Sequence, residues 1–329
     1  MADPLAGLSP RDRRRLRRAA APRRFEAMKA VLTDERFSDP AWLYERKLDG
    51  IRCLAVRDGD DVRLRSRNDL SLNERYPELV DALRRDRGRR LTLDGEVVAF
   101  AGAQTSFARL GQRGRHPGIP VFLYVFDVLW LDGYDLRALP LRARKAVLRR
   151  ALTFTGPVRL TPYRYRDGEA LYRDACRRGW EGLIAKRADS AYTSARSRDW
   201  LKFKCASQQE LVIGGYTAPR GSREELGALL LGHHRDAELR YAGKVGTGFD
   251  RETLRELARR LRPLRRDSSP FAGEDAPARG TTWVQPRLVA EVAFTEWTRD
   301  GRLRHPRYLG LRDDKDPREV VRERSGPVR

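Results

Sequence analysis

The sequence predicts an α+β protein of two domains, in which a mainly antiparallel α+β domain precedes a small β-barrel domain. The chain has 329 residues, and a length of this order usually divides into two hydrophobic cores. From residue 42 the chain runs through short alternating segments with helical segments between them. After residue 205 the pattern changes to strand-like segments around a single helix, which is typical of a small barrel.

Strand patterns in the first domain occur in the segments WLYERK, IRCLAVR, VRLRSR, RLTLDGEVVAF and VFLYVFDVLWL. Their apolar residues alternate or run continuously, as they do in half-buried and fully buried strands. Asp-Gly pairs predict turns at 49–50, 58–59, 94–95 and 132–133. The spacing of apolar residues predicts helices at 74–86, 141–151 and 168–178.

The second domain has strand patterns at 210–217, 227–233, 238–245 and 283–297. A helix is predicted at 250–262, with Asp250 as its N-cap and its leucines on one face. Residues 265–281 are rich in Pro, Gly, Ser and Asp, which indicates a loop. About five strands with one helix predict an OB-fold, a barrel that commonly binds nucleic acid.

These patterns also set the domain boundaries. Residues 1–24 form a basic leader with little apolar periodicity, which we expect to be mobile and suited to lie along a phosphate backbone. Residues 25–205 form the α+β domain, and residues 206–329 form the OB-fold domain.

The composition favours a polyanionic partner. The chain has 68 Lys and Arg residues against 46 Asp and Glu residues, a formal net charge of +22. Such a charge attracts nucleic acid, whereas a membrane surface would call for a basic amphipathic helix with aromatic anchors. No segment has 18 consecutive apolar residues, so no membrane span is predicted. The alternative is a basic composition shared by many proteins of an Arg-rich genome.

The three cysteines, Cys53, Cys176 and Cys205, are odd in number and scattered. They predict no disulfide framework, and a reducing cytoplasm, near the nucleoid, is the expected location. The four histidines lack metal-ligand spacing with these cysteines, so no structural zinc site is expected.

Lysine is scarce in this chain, and its positions are therefore informative. Of the 68 basic residues, 60 are Arg and 8 are Lys. Of these two basic residues, only Lys can lose its proton in a protein and act as a nucleophile. A lysine in this Arg-rich chain therefore indicates a position where an amine is needed. The eight are Lys29, Lys47, Lys145, Lys186, Lys202, Lys204, Lys244 and Lys315.

Lys47 is the candidate nucleophile. It begins the sequence KLDGIR (47–52), where a strand ends in an Asp-Gly turn. Burial and neighbouring cations keep an amine neutral, and we expect Arg52, Lys202 and Lys204 to supply that charge. Alternation would put the last two on one face of a strand. The alternative is a strand end whose basic residues face solvent.

Further motifs follow in order along the chain. In the first domain they are SRND (66–69), LDGEVVAF (93–100), FDVLWLDG (126–133), EGLIAK (181–186) and WLKFK (200–204). The second domain adds YAGKVGTGF (241–249), VAEVAFTEWT (289–298) and RHPRYLGLRDDK (304–315). This set resembles the covalent nucleotidyltransferases, and most closely the ligase domain of bacterial end-joining DNA ligases. A single short motif often matches by accident, but an ordered set over two domains does not.

The resemblance implies an antiparallel-sheet nucleotidyltransferase domain followed by an OB-fold, with ATP as the nucleotide. Lys47 then attacks the α-phosphorus of ATP, which forms a lysyl–AMP phosphoramidate and releases pyrophosphate. The AMP passes to a DNA 5′-phosphate, and a neighbouring 3′-hydroxyl displaces it and seals the strand. Each step builds negative charge, so preplaced cations and Mg²⁺ or Mn²⁺ are expected.

The resemblance also implies roles for individual residues. The residues expected to bind ATP or AMP are Lys47, Arg52, Glu96, Phe126, Lys186, Lys202, Lys204, Arg312 and Lys315, of which Arg52, Lys202 and Lys204 also serve catalysis. The expected metal ligands are Glu181 and Glu96, and the expected DNA contacts are Arg67 and Lys244. Taken singly, each has a simpler explanation: Phe126 as a buried strand residue, the glutamates as solvated acids and the basic residues as solvent-facing charges.

Three functions compete. The motifs favour an ATP-dependent DNA ligase that seals 5′-phosphate/3′-hydroxyl breaks in repair or end joining. An RNA ligase or capping-type guanylyltransferase shares the nucleophile, and labelling with GTP would distinguish it. A non-catalytic DNA-binding scaffold shares the fold but forms no protein–AMP adduct. The expected partners of a ligase are nicked or broken duplex DNA and Ku or another end-joining protein, and we expect a monomer with no membrane attachment.

Overall fold

The chain folds into two units, the first ending at Cys205 and the second at Glu323. The structure is a computed structural model, and it describes residues 3–21, 26–86, 88–114, 116–205, 207–219, 225–273, 276–277 and 279–323. Residues 1–2 and 22–24 of the predicted leader lie outside the described residues, as do residues 25 and 206 at the predicted domain boundaries.

The described part of the first unit contains thirteen strands and five α-helices. The strands are β1 (Arg17–Arg18), β2 (Lys29–Leu32), β3 (Trp42–Arg46), β4 (Ile51–Asp58), β5 (Asp61–Ser66), β6 (Leu91–Ala101), β7 (Gln104–Thr105), β8 (Val121–Leu131), β9 (Tyr134–Asp135), β10 (Val158–Leu160), β11 (Tyr163–Tyr165), β12 (Gly182–Arg187) and β13 (Arg196–Lys204). The helices are α1 (Pro10–Arg13), α2 (Pro77–Arg85), α3 (Phe107–Gly111), α4 (Leu141–Ala151) and α5 (Gly168–Arg177).

These strands form two mainly antiparallel sheets. The first has the order β1-β9-β8-β6-β4-β5, with β10 added to β8 and β7 to β6, and the second has the order β11-β3-β12-β13-β2. Helices α2, α3 and α4 cover one face of the first sheet in the largest core, and α5 covers one face of the second. A smaller cluster, which includes Leu54 and Phe126 from the first sheet and Trp200 from the second, joins the sheets at their other faces. The polar residues beside this cluster form the candidate site.

The basic leader differs from the mobile segment that its composition predicts. Within residues 3–21, Leu5 and Leu8 are buried in the largest core. Ser9 caps α1 through the N–H of Asp12, and the indole N–H of Trp130 donates to the carbonyl of Ala19 at 2.8 Å. Two leucines and a capped turn are enough to dock this segment, although arginines dominate its sequence.

Most predicted turns and helices of the first unit are confirmed, with one exception. The helices at 141–151 and 168–178 appear as α4 and α5, and α2 occupies part of 74–86. The turn predicted at 94–95 is wrong, because both residues lie inside β6. The pairing of β6 with β8 shifts register between Asp94 and Gly95, so this Asp-Gly pair marks a strand irregularity, a common role of glycine within strands.

The described part of the second unit has eight strands and one α-helix. The strands are β14 (Ser207–Thr217), β15 (Leu229–Arg235), β16 (Glu238–Val245), β17 (Arg265–Arg266), β18 (Thr281–Phe294), β19 (Glu296–Trp297), β20 (Leu303–Arg304) and β21 (Arg307–Leu311), and the helix is α6 (Arg251–Leu261). Six strands form one antiparallel sheet in the order β16-β15-β14-β18-β17, with β21 on β18. The side chain of Asp250 accepts from the N–H of Thr253, which confirms the predicted N-cap of α6.

Both faces of this sheet are buried. The leucines of α6 pack on one face. On the other face the ring of Phe271, from the segment predicted as a loop, fills a slot beside Gly214 and Gly232, where an added Cβ would lie 2.4 Å and 2.7 Å from that ring. Among the described residues, no helix of either unit is long and apolar enough to cross a membrane.

One disulfide corrects the cysteine prediction. Cys176, near the end of α5, is bonded to Cys205, which follows β13, and Cys53 is a buried free thiol. The backbone N–H of Cys205 donates to the carbonyl of Glu181 at 3.0 Å. The two cysteines are far apart in sequence and meet because β12 and β13 bring the end of the hairpin back beside α5, which cysteine spacing does not reveal.

Candidate active site

Lys47 lies directly after β3, where a short turn leads into β4. Its backbone N–H donates to the carbonyl of Gly182 at 2.9 Å, which ties it to the start of β12. A Cβ on Gly50 would lie 2.2 Å from the carbonyl oxygen of Val97, so only glycine fits at this close approach. The carboxylate of Asp49 accepts from the backbone N–H of the first residue of α3 at 2.9 Å. Gly50 and Asp49 therefore fix the backbone of the turn from which Lys47 projects.

Strand pairing sets the positions of the lysines in the second sheet. Residues of β3, β12 and β13 lie side by side in register. One row consists of Glu45, Ile184 and Lys202, and another of Leu43, Lys186 and Trp200, in that strand order. Lys204 pairs with Gly182 in the row beyond Glu45. Lys202 and Lys204 lie on one face of β13, as alternation predicts, because Phe203 between them is buried on the other face.

The ammonium of Lys47 forms an ion pair with the carboxylate of Glu181. Both side chains are mostly buried, with 19% of Lys47 and 7% of Glu181 exposed. This arrangement differs from the predicted one, in which cations surround the amine, because a nearby carboxylate favours the protonated form of lysine. The sequence nevertheless predicted that Lys47 and Glu181 belong to one site, and the structure places them in contact.

Arg52 is held by a carboxylate that the sequence analysis did not single out. Its guanidinium donates two hydrogen bonds to Asp94 and one to the carbonyl of Met28 at 3.2 Å. The hydroxyl of Tyr192 donates to the same carboxylate at 2.7 Å. Burial acts to lower the pKa of Arg52, but the charge and hydrogen bonds of Asp94 outweigh it and raise that pKa. Arg52 is therefore a fixed, permanent cation on the first sheet.

Phe126 lies in a cluster of rings and cations. Its ring centroid is 4.7 Å from the guanidinium of Arg52 and 4.0 Å from the ammonium of Lys186, which is also 3.9 Å from the ring of Trp200. Both rings are buried, and the indole N–H of Trp200 has no acceptor among the described residues. A buried donor without an acceptor fits a pocket that receives a polar ligand such as a nucleotide.

Glu45 and Lys145 are the site residues that the motifs missed. The Glu45 carboxylate accepts from Lys145 through one oxygen and from Lys186 through the other, the latter at 2.6 Å. Glu45 stands on β3 two residues before Lys47, which follows the strand, and Lys145 is one of the eight lysines. These two sequence features could have drawn attention to Glu45 and Lys145, but neither feature shows that the two side chains contact each other.

Glu181 and Glu96 are the candidate metal ligands. Glu96 is half-buried on β6, where it pairs in register with Arg52 on β4 and Tyr124 on β8. No group of three or more metal-ligating side chains occurs among the described residues. Two carboxylates fit Mg²⁺, because this ion typically takes one or two carboxylates and completes its shell with water and phosphate oxygens.

The two residues predicted to contact DNA, Arg67 and Lys244, lie in different units and differ in exposure. Arg67 is partly buried in the turn that follows β5, and Lys244 is exposed on β16 in the second unit. Exposure suits Lys244 to a phosphate contact.

Arg312 and Lys315 are both paired within the second unit. Arg312 is buried, and it donates to Glu291 at 2.8 Å and to Asp314 at 2.8 and 2.9 Å. Burial acts to lower the pKa of Arg312, but these two carboxylates raise it well above its ordinary value. Lys315 pairs with Glu210 at 2.6 Å. Arg312 and Lys315, which were predicted to contact pyrophosphate, are therefore paired with carboxylates of the same unit.

The fold and the lysine turn define the class of protein, a nucleotidyltransferase domain followed by an OB-fold domain. Residues 23–204 match the family model described as "ATP dependent DNA ligase domain". Residues 222–315 match the one described as "ATP dependent DNA ligase C terminal region". The chain belongs to the ATP-dependent DNA ligase family.

Similar proteins agree with this assignment. The chain is 43% identical over 304 residues to the multifunctional non-homologous end joining protein LigD of Pseudomonas aeruginosa, covering 87% of this chain and 35% of that protein. It is 33% identical over 305 residues to a DNA ligase of Thermococcus fumicolans, covering 84% of this chain and 53% of that one. A solved structure, mycobacterial DNA ligase D complexed with ATP and MES, matches with a TM-score of 0.65 at 36% identity and covers 90% of this chain and 98% of its own. The chain thus spans about a third of the length of the LigD relatives.

Proposed function

We propose that this chain is an ATP-dependent DNA ligase that acts through a lysyl–AMP intermediate at Lys47. The observation that carries the proposal is the placement of Lys47: the Lys-x-Asp-Gly turn holds it against β12, in contact with Glu181. The RNA ligase, guanylyltransferase and scaffold alternatives receive no specific support, because the matching family models and relatives are DNA ligases.

In the first step the Nζ lone pair of Lys47 attacks the α-phosphorus, the bond to pyrophosphate breaks, and Nζ gives up a proton. The ion pair with Glu181 must therefore open before Lys47 can act as a nucleophile. Arg52, Lys202 and Lys204 are the proposed cations that stabilise the charge on phosphate. Glu181 and Glu96 would hold Mg²⁺ or Mn²⁺, which supplies further electrostatic stabilisation when bound.

The remaining assignments are proposals of the same kind. Phe126 stacks on the base, Lys186 lies beside it, and Arg312 and Lys315 bind pyrophosphate once they exchange their carboxylate partners for phosphate oxygens. Residues 25–205 serve as the adenylation domain and 206–329 as the OB-fold domain. Arg67 and Lys244 contact DNA phosphates.

The biological setting is proposed from the relatives. Proteins named for non-homologous end joining suggest broken or nicked duplex DNA as substrate, with Ku or another end-joining protein as partner. A monomeric ligase is part of the same proposal. DNA as substrate places the activity at the nucleoid in the cytoplasm, where reductants would act on the Cys176–Cys205 disulfide.

Intact-mass measurement after incubation with ATP and Mg²⁺ tests the activity. We expect the protein to gain one AMP, and Lys47→Ala and Lys47→Arg to gain none; Lys47→Arg keeps a cation beside Glu181 and should unfold like the wild type. The adduct should then transfer to a nicked duplex that carries a 5′-phosphate. Labelling by GTP in place of ATP, or an adduct that survives in Lys47→Ala, would overturn the assignment.

A further inference from the structure

Three ionisable side chains form a buried cluster beside the proposed nucleotide pocket. Lys145 comes from α4, Glu45 from β3 and Lys186 from β12. Their side chains are 0%, 2% and 2% exposed. Each lysine contacts a different oxygen of Glu45, so both carboxylate oxygens are bound by an ammonium group.

The cluster carries an unbalanced positive charge. Two protonated lysines share one carboxylate, and burying an unbalanced charge is costly unless other groups stabilise it. Aromatic faces do so here: Lys186 lies against Phe126 and Trp200, and the Lys145 ammonium is 5.0 Å from the ring of Tyr163. Two lysines therefore contact Glu45, although one lysine would be enough to neutralise the charge of its carboxylate.

Other charges that face Lys186 are already paired. Asp127, on β8, interacts with Lys186 but is held by two hydrogen bonds from Arg144 at 2.8 and 2.9 Å. Arg52, whose guanidinium lies 4.7 Å from the ring centroid of Phe126, is held by Asp94. Lys145 is thus the charged group that competes directly with Lys186 for Glu45.

We propose that Lys145 is a positioning residue for nucleotide capture: by holding Glu45 it leaves the Lys186 ammonium to the rings of Phe126 and Trp200. This inference rests on the proposed function, in which Phe126 stacks on the base. Without Lys145, Glu45 and Lys186 become a simple one-to-one pair. The carboxylate then draws the ammonium toward itself, and the ring that receives the base loses a fixed neighbour.

The cluster predicts a pH signature that a purely structural role of Lys145 would lack. Burial lowers the pKa of Lys186 to about 8, Glu45 opposes this shift and Lys145 adds to it. The wild type therefore loses the ammonium beside Phe126 as the pH rises through about 8. Removal of Lys145 raises the pKa of Lys186, because one repelling cation is gone.

The test is the KM for ATP in Lys47 adenylation, measured against pH. In the wild type KM should begin to rise near pH 8, and in Lys145→Met that rise should move up by about one pH unit or more. Arg57→Met is the matched control, because it also removes a buried cation of the first unit but one paired with Asp86 at 3.6 Å; its profile should follow the wild type. Lys145→Gln, which keeps a hydrogen-bond donor without charge, replaces Lys145→Met if the latter does not fold.

A double variant tests whether Lys145 acts through Glu45. Below the pH of that rise, Lys145→Met alone should raise the KM for ATP, whereas adding it to Glu45→Gln should leave the KM unchanged, because no carboxylate remains to draw the Lys186 ammonium away from the rings. An unmoved pH profile in Lys145→Met, or an equal rise of the KM at the lower pH with and without Glu45, would overturn the inference while the adduct at Lys47 still upheld the proposed function. A wild type that forms no adduct would overturn the proposed function, and this inference with it.

Discussion

The guanidinium of Arg52 donates two hydrogen bonds to the carboxylate of Asp94, from Nε at 2.5 Å and from Nη2 at 2.6 Å. The two residues stand on neighbouring strands of the first sheet, and the side chain of Asp94 is fully buried. A charge pair of this kind orients the cation and makes each partner dependent on the other.

Asp94→Asn should destabilise the first unit by about 3–5 kcal/mol, because it leaves Arg52 as a buried charge without its counter-ion. The free energy of unfolding in urea measures this loss. Asp81→Asn is the matched control, since Asp81 pairs with Arg84 at 3.3 Å on the surface, where the change should cost less than about 1 kcal/mol. Equal effects of the two substitutions would contradict the importance of the buried pair.

Gly50→Ala should cost about 1–3 kcal/mol, since the added methyl group forces the turn away from β6. The new Cβ would lie 2.2 Å from a backbone oxygen, and the shift also displaces Lys47, so adenylation should slow. Gly118→Ala serves as control, because nothing lies within 4 Å of its Cβ position. A fully active and stable Gly50→Ala protein would show that the turn tolerates a side chain.

The stability of the protein should rise between about pH 8 and pH 10.5 through Lys186, whose pKa burial lowers to about 8 from its ordinary 10.5. In that interval the unfolded chain holds a proton that the folded protein has released, so increasing pH favours the folded state. The gain is about 3 kcal/mol at most. Urea unfolding at several pH values should show a shallower rise for Lys186→Met. Parallel curves for the two proteins would mean that Lys186 titrates normally.

Reduction of the Cys176–Cys205 disulfide should lower the free energy of unfolding by about 3–4 kcal/mol, because the unfolded chain regains the freedom of the loop between them. The sequence separation of 29 residues sets this magnitude. Unfolding with and without dithiothreitol measures the effect. The double variant Cys176→Ser/Cys205→Ser should match the reduced protein and should not respond to the reductant.

The sequence predicted the parts of the fold that depend on local patterns. The apolar faces of α2 and α6, the cap at Asp250 and the strand around Phe126 follow from spacing within one element. The burial of Leu5 and Leu8 in the largest core was not predicted, because two leucines are too few to form a pattern.

The sequence predicted which residues belong to the candidate site better than it predicted which of them are in contact. The motifs identified Lys47, Glu181 and Arg52, but the partners of Arg52 and Lys186 come from strands remote in sequence. Alternation determines which face of a strand a side chain occupies, whereas the identity of the opposing charge depends on which strands are neighbours in the sheet and on where α4 packs. These are tertiary properties, and they explain why the pairing of Glu45 on β3 with Lys145 on α4 was not predicted.

The position of β12 between β3 and β13 has a consequence for how the site tolerates change in length. An insertion of one residue in β12 would turn every later side chain of that strand to the opposite face and would misalign both neighbours at once. Lengthening or shortening within the strand should therefore not be accepted. The register of β12 therefore determines how the side chains of both β3 and β13 are positioned in the site.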